Sequence, residues 1–514
     1  MLSENEEVSV KNHPFFFDCT HKRDRNCCVC VKRGSEMFIS WIILRYSRRD
    51  NQEIRMELTV KESIKIASGQ GFWGDLPDAP VHQVKKGDID YLVMDYLAEV
   101  TMSIMQKQRM RNEKFGYARD FVDVVASTLR EVKEEGVKII SNAGGVNPRA
   151  CKDAILEVAN ELGISGLKIA VVDGDDILPG LDDLIADGHT LKNMETGEPI
   201  VSVKDDLLSA NVYLGCRPIV EALEKGANIV ITGRVTDTGL TLAPMVYEFG
   251  WDLNDYDLMA TGTIAGHIIE CGGQVTGGNF TDWERVEDFT EPGFPIIEAH
   301  ADGTFYVTKH KNTGGLVSEM TVKEQLLYEI GDPAEYITPD CIADFTSVQL
   351  RQDGEDRVKV WGIKGLEDTP TYKVSASHVD GYKLSSTLVY CWPDALKKAK
   401  KAGEILLARA NNLGITFRDS NVEFVGVNAC NEDSSELSAD HSELNEVQMR
   451  ISVHGDSREQ INRFGKEIAP LILTGPSGVT GFAGGRPKAS EVVAYWPALI
   501  DKSAVTPQVT LYEL

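Results

Sequence analysis

The sequence predicts an α/β fold: a parallel sheet of βα units followed by a smaller α+β domain, ferredoxin-like, in βαββαβ order. Three observations carry this expectation. From Ile64 onward, short apolar runs are each followed by a Gly/Asp/Asn-rich loop and a helical stretch, the signature of βα units. From about Tyr372 the order changes to strand, helix, two strands, helix, strand. A chain of 514 residues, 42% hydrophobic and 26% charged, has globular composition and length for several domains without disulfide staples.

The first-half strands are expected at 64–67, 91–94, 137–141, 167–172, 211–214 and 228–232. Asn147 can cap a helix opened by Pro148, whose missing N–H costs nothing at the first helical position, and Gly163 stops it. Arg217-Pro218 to Gly226 repeats the device. The region 262–371 holds Gly-rich loops and short β-like runs such as 304–308. In the second half, strands are expected at 383–390, 422–427, 449–453 and 492–496. Asp394 caps one helix, which ends at Gly414, and a second starts at Asp456 or Ser457. The stretch 431–445 reads as a long acidic connection. The expected division is a 1–57 extension without stable structure, an α/β domain over 58–371 and an α+β domain over 372–514.

Acidic residues outnumber basic ones 79 to 53, a formal charge of -26. That is the wrong sign for a surface that neutralises a run of phosphates, so nucleic acid is not an expected partner. No window reaches the roughly 18 apolar residues of a membrane span. The acidic start lacks the basic character of a targeting peptide, and the chain is expected in the cytoplasm, as a homo-oligomer on general grounds. Ten cysteines are too scattered for a disulfide framework. His21 with Cys27, Cys28 and Cys30 lacks the paired spacing of closed zinc sites.

In such a sheet, loops after strand C-termini gather at one edge, where ligands sit. The first offers Gly69, Gly71 and Gly74 for close backbone approach, Trp73 as a stacking face and Asp75 as an acceptor. Its G-x-G-x-x-G spacing resembles a dinucleotide turn only in part, because Pro77 and Pro80 delay the helix. The loop Asn142, Gly144, Gly145, Asn147 is a carboxylate or phosphate cradle or simply a capped turn. Asp173 and Asp175 are oxygen ligands of the kind a divalent cation such as magnesium takes, or solvated capping residues. The loop after 228–232 brings Gly233, Arg234 and Asp237 together: a guanidinium that can hold an anion beside a carboxylate that can move a proton, the plain alternative being an internal ion pair. Arg217 adds a second positive group. His267 and Glu270, three apart, share one helix face as an acid–base pair, with Cys271 adjacent. Asn279 and Asn312 lie in further polar, Gly-rich loops that bind substrate or turn the chain.

The runs ASGQGFWGD (67–75), NAGGVNP (142–148), DGDD (173–176), TGRVTDTGL (232–240), AGHIIECGGQVTGGNF (265–280) and NTGGL (312–316) together resemble the acyclic terpene utilisation family of AtuA type, across about 64–496. The resemblance implies catabolism of citronellol- and geraniol-like isoprenoids beside acyl-CoA carboxylation and cleavage, and fixes no catalytic residue. The reading is an enzyme acting on a small branched carboxylate or acyl-CoA by lyase or hydratase chemistry. Its rivals are a non-catalytic acyl- or carboxylate-binding subunit and an NAD(P)-dependent oxidoreductase with Asp95 as the ribose acid.

Overall fold

The structure, a computed structural model, describes residues 61–430, 444–481 and 485–514, and ahead of them only the backbone of short strands between Phe16 and Ser40. Apart from those strands, 1–57 lies outside the described residues, as does most of the connection 431–445. Two compact units are present: one ends at Lys192 and resumes over Ala210–Ser375 and Pro497–Leu514, the other is Asn193–Ser209 with Ala376–Trp496. The units thus interleave in sequence rather than dividing at 371. Among the described residues no helix is long and apolar enough to cross a membrane, and the six cysteines beyond residue 60 are free.

The first unit opens with β1 (Ser63–Gln70), α1 (Ala79–Lys85), β2 (Tyr91–Met94), α2 (Glu99–Arg111), α3 (Arg119–Glu135), β3 (Lys138–Ser141), α4 (Pro148–Glu161) and β4 (Lys168–Asp173). After β5 (Leu207–Val212) come α5 (Arg217–Glu224), β6 (Ile229–Thr232), α6 (Gly239–Phe249) and α7 (Tyr256–Glu270). The antiparallel strands β7 (Pro295–His300) and β8 (Phe305–Lys309) follow, then α8 (Glu319–Leu327), β9 (Gln349–Gln352) and β10 (Arg357–Trp361). Every residue of β2 and β6 is buried, as expected of strands covered on both faces, and hence their unbroken YLVM and IVIT runs. The α4 start is built as its sequence requires: Asn147 Oδ1 accepts from the Ala150 N–H at 3.4 Å with Pro148 at the first helical position.

The sheet has ten strands in the order β9-β10-β8-β7-β1-β2-β3-β6-β4-β15, the last being Gln508–Glu513. Its five central strands are parallel. Both flanks are antiparallel, so the sheet is mixed and not purely parallel. Between β7 and β8 the reason is local: they are joined by a short turn, and a short turn can only reverse the chain. The expected strand 211–214 is corrected too. Its chain forms β5, which pairs in a second sheet, leaving one parallel bridge, Leu214 to Val235; an apolar alternation states that a strand forms, not which sheet takes it. Because β6 lies between β3 and β4, the loops after these three strands are neighbours at one edge.

The second sheet is ordered β5-β11-β13-β12, with β14 also on β11, where β11 is Thr371–Cys391, β12 Asp419–Val425, β13 Glu446–Gly455 and β14 Ser490–Asp501. The helices α9 (Ala395–Asn412) and α10 (Arg458–Ile468) share one apolar cluster with β11 and β13, including Leu406, Phe464, Leu388 and Met449.

One glycine sets the spacing around the site. A Cβ on Gly266 of α7 would lie 2.6 Å from the Thr238 Cα and carbonyl oxygen, so this helix crosses the chain beside Asp237 at backbone contact. Gly266→Ala is expected to overpack the crossing and cost about 1–3 kcal/mol, read as a lower urea midpoint. An unchanged midpoint would show that the crossing is not tight.

Candidate functional site

The ends of four parallel strands are tied by one polar network. Just past β2, Asp95 Oδ1 accepts from Asn142 Nδ2 at 2.7 Å and from the Leu97 N–H at 3.0 Å. Asn142, just past β3, also accepts from the Tyr96 N–H at 2.7 Å. Past β4, Asp175 Oδ2 accepts from the Arg234 N–H and from Asn211 Nδ2, both at 2.8 Å. Gly233 makes this possible, because a Cβ there would lie 2.3 Å from Asp175 Oδ1.

Arg234 is the hub. Its side chain is 2% exposed, Nη1 donates to the Leu97 carbonyl at 2.7 Å and lies 3.1 Å from Asp237 Oδ1, and Nη2 donates to Asp237 Oδ2 at 3.3 Å. The Tyr213 ring lies 4.1 Å below the guanidinium and its hydroxyl donates to Glu99 at 2.9 Å. Asp237, by contrast, has a side chain that is 32% exposed, although its Oδ1, facing Arg234, is buried, so the network reaches solvent beside this residue.

The second pair closes α7. His267 Nδ1 lies 3.0 Å from Glu270 Oε1, and Nε2 is 2.9 Å from the Gln325 carbonyl, whose side chain in turn donates to the His267 carbonyl at 3.0 Å. Edge contacts with Tyr336 and Phe345 fix the imidazole plane. Gly71 of the first loop packs on the end of this helix, where a Cβ would meet the Cys271 carbonyl carbon at 2.6 Å. Ser68 Oγ, Gln70 Oε1, Tyr96 OH, Asn211 Oδ1, Arg234 Nε, Glu270 Oε2 and Gln325 Oε1 are buried without a hydrogen bond. Buried polar atoms are ordinarily paired, so these are open to a water or a ligand.

Burial, then the charge of Asp237, hold the Asp95 carboxyl well above its usual range, against the pull of Arg234. Burial also raises Asp237 more than neighbouring Arg234 lowers it. Glu270 is raised by burial against His267; for His267, burial alone would lower the pKa, and the facing Glu270 carboxylate reverses the sign. Burial lifts Asp175 to about 7 despite its two N–H donors. A carboxyl raised in the folded state contributes stability below its unfolded pKa, near 4, and that contribution is lost as pH rises through about 7. Asp175→Asn keeps an acceptor and removes the titration. Its urea midpoint is therefore expected to rise relative to wild type between pH 5 and 8, a gain on the order of 2–4 kcal/mol; a parallel pH dependence would refute the assignment.

Several sequence expectations change at this point. Both Arg234 nitrogens Nη1 and Nη2 are taken by the chain's own groups, so the alternative of an internal pair describes it and the free anion fork does not. The Asn142–Asn147 cradle is spent internally: the Ala143, Gly145, Val146 and Asn147 N–H groups donate to Ser141 Oγ, Asn142 O, Gly116 O and Gly144 O. Gly144 is needed for packing, with a Cβ 2.5 Å from the Thr232 carbonyl oxygen, and Gly145 for a φ of +53°. Asn147 also donates to two carbonyls, of Glu113 and Phe115. Trp73 Nε1 donates to Asp120 at 2.9 Å, a brace and not a stacking face. Asp75 closes its own loop onto the Gly71 and Leu76 N–H groups. Gly69 packs on Pro80 and Leu92.

The two aspartates proposed for a metal serve different partners. Asp173 pairs with Arg149 at 2.8 Å, while Asp175 Oδ2 is taken by two N–H donors, so both carboxylates are engaged within the chain. Among the described residues no cluster of three or more His, Cys, Asp or Glu is placed to hold a metal ion. Arg217 is exposed at the start of α5, and Asn279 and Asn312 are exposed with φ near +57°, turning the chain. Burial pushes the Cys271 thiol up to about 12, so it is no thiolate at neutral pH. The positions brought together are Asp237, Arg234, Asn142 and Asp175, with His267 and Glu270 beside them. Glu99 and Asn211 carried no sequence signal, as each is recruited from a distant segment. Asp95 stands where a ribose acid would, but its carboxyl is spent inward on Asn142 and Leu97.

Fold and site together define a mixed α/β protein with a buried acid–base network at the ends of its parallel strands. The chain belongs to the acyclic terpene utilisation family: the family model described as "Acyclic terpene utilisation family protein AtuA" matches residues 64–511. No curated protein and no solved structure matches it.

Proposed function

We propose that the chain is a catabolic enzyme of this family that moves protons on a small branched acyl group, adding or removing water or cleaving by lyase chemistry. The observation that carries this reading is Asp237, a partly exposed side chain paired with Arg234, backed by the buried Asp95, whose carboxyl is raised by burial, and near enough to the His267–Glu270 pair for its charge to raise Glu270. Two carboxyls in one buried site disfavour ionising together, so each strengthens the other's hold on a proton, the property an acid–base pair uses. In a hydration, Asp237 takes a proton from water as its oxygen bonds to one alkene carbon, and Glu270 gives a proton to the other. Protonated His267, held at Nε2 by the Gln325 carbonyl, passes its Nδ1 proton to Glu270, and the cycle closes as Asp237 releases its proton to solvent and His267 takes one up.

The charges favour a thioester over a free acid. Arg234, His267 and Lys373 each already face a carboxyl group, at 3.1, 3.0 and 3.8 Å, whereas a coenzyme-A thioester brings no charge to the reacting carbons. The test is to incubate the full-length protein with branched unsaturated and hydroxylated acyl-CoAs in D₂O and follow deuterium in the acyl chain by mass spectrometry. Incorporation or hydration is expected. Binding without exchange would fit a non-catalytic acyl-binding subunit instead, and neither binding nor exchange would end the acyl-CoA reading.

A further inference from the structure

A separate cavity of about 230 Å³ lies between α1 and the segment Glu291–Phe294. His82 and Lys86, four residues apart and so on one face of α1 and its cap, line one side, and His310, just after β8, lines another. Glu291 is the one acid among the lining residues. Among the described residues no acid pairs with His82 or Lys86. In a chain of formal charge -26, three cationic or protonatable groups around one cavity run against the overall balance.

The walls are built from buried structure. Gln83, 2% exposed, donates from Nε2 to the Ser68 carbonyl at 2.9 Å, and its own carbonyl lies 3.2 Å from His310 Nε2. Phe294, 4% exposed, meets Gly272, two residues past Glu270, where a Cβ would lie 2.8 Å from its ring. Two lining residues are thus anchored on β1 and on the chain just past α7.

We propose that this cavity binds a phosphate or diphosphate group. Its volume is below the roughly 300–1,000 Å³ that encloses a drug-sized ligand, so it takes an ionic end group and not a whole coenzyme. Lys and protonated His are suited to phosphate oxygens, to which they donate charge-assisted hydrogen bonds. Burial, and then the neighbouring Lys86, lower the His310 pKa, with the Lys65–Asp88 pair also facing it. An entering anion reverses that balance and draws a proton onto the ring. Two sources share this chemistry: a free inorganic ion, or the phosphate end of an acyl-CoA, the second resting on the function proposed above.

Calorimetric titration of the full-length protein with inorganic diphosphate, in two buffers of different ionisation heat at pH 7, tests this. Expected are binding with proton uptake, at least tenfold weaker binding in Lys86→Glu, and loss of the uptake in His310→Gln. Competition by coenzyme A would assign the site to the coenzyme; diphosphate binding that coenzyme A leaves unchanged would assign it to the free ion. No binding of either probe, or binding unaffected by both substitutions, would overturn the proposal. Deuterium exchange into the acyl chain is a separate readout, so absence of a phosphate site leaves the proton chemistry standing, and the reverse also holds.

Discussion

Asp237→Asn is expected to lower turnover by about 10²- to 10⁴-fold while leaving the fold intact, the range typical of a positioned general acid or base. The amide keeps the size of the side chain and an acceptor for Arg234 Nη2 but loses the oxygen facing Nη1 and the charge, so a lowered thermal midpoint is expected with the fold retained. It cannot take or release a proton. Because Asp237 is the part of the network open to solvent, its loss is not replaced by the inward-facing Asp95. Paired measurements decide the point: deuterium exchange into the acyl group, and the thermal midpoint. Exchange at the wild-type rate in a folded variant would remove Asp237 from the chemistry.

Arg234→Met carries the largest expected cost in stability, about 3–5 kcal/mol, the range for removing one partner of a buried ion pair. The substitution keeps apolar volume above Tyr213 but leaves Asp237 and Asp95 facing each other with no compensating cation and the Leu97 carbonyl without its donor. The cost is pH-dependent with a definite sign. Without Arg234 both carboxyls rise further, and groups raised in the folded state favour it only where they are protonated. The variant should therefore lose less relative to wild type at pH 5 than at pH 8. Equal losses in urea midpoint at the two pH values would show that the guanidinium is not what holds these carboxyls together.

Much of this arrangement was legible because it depends on short-range rules. Unbroken apolar runs of four told of strands covered on both faces, and the three-residue spacings of Arg234 with Asp237 and of His267 with Glu270 gave two contacts before any fold was known. What was not legible depends on partners far away in sequence. The Asn142–Asn147 loop looks like an open anion cradle until Gly116, brought in by the chain between α2 and α3, takes the Val146 N–H. Arg234 looks like a free fork until Leu97 supplies a carbonyl. The alternation of β5 was visible, but the choice between two sheets was made by the 21-residue β11. The strand β15 could have been found from its own alternation, in QVTLYE; only its partner was hidden.

That last strand has a consequence for how the protein is made. Residues Gln508–Glu513 cover the edge of β4, pairing Gln508 with Asp173, so a seam of the main sheet joins positions more than three hundred residues apart. As the chain leaves the ribosome, the apolar β4 stands as an uncapped edge through the synthesis of everything between, including Ala376–Trp496, which belongs to the other compact unit. Non-local pairing of this kind is slow, and an open strand edge invites pairing with another nascent chain. The connectivity thus delays closure of this edge until the last residues are made, and a rearranged gene that encodes 508–513 immediately ahead of β1 would shorten the wait.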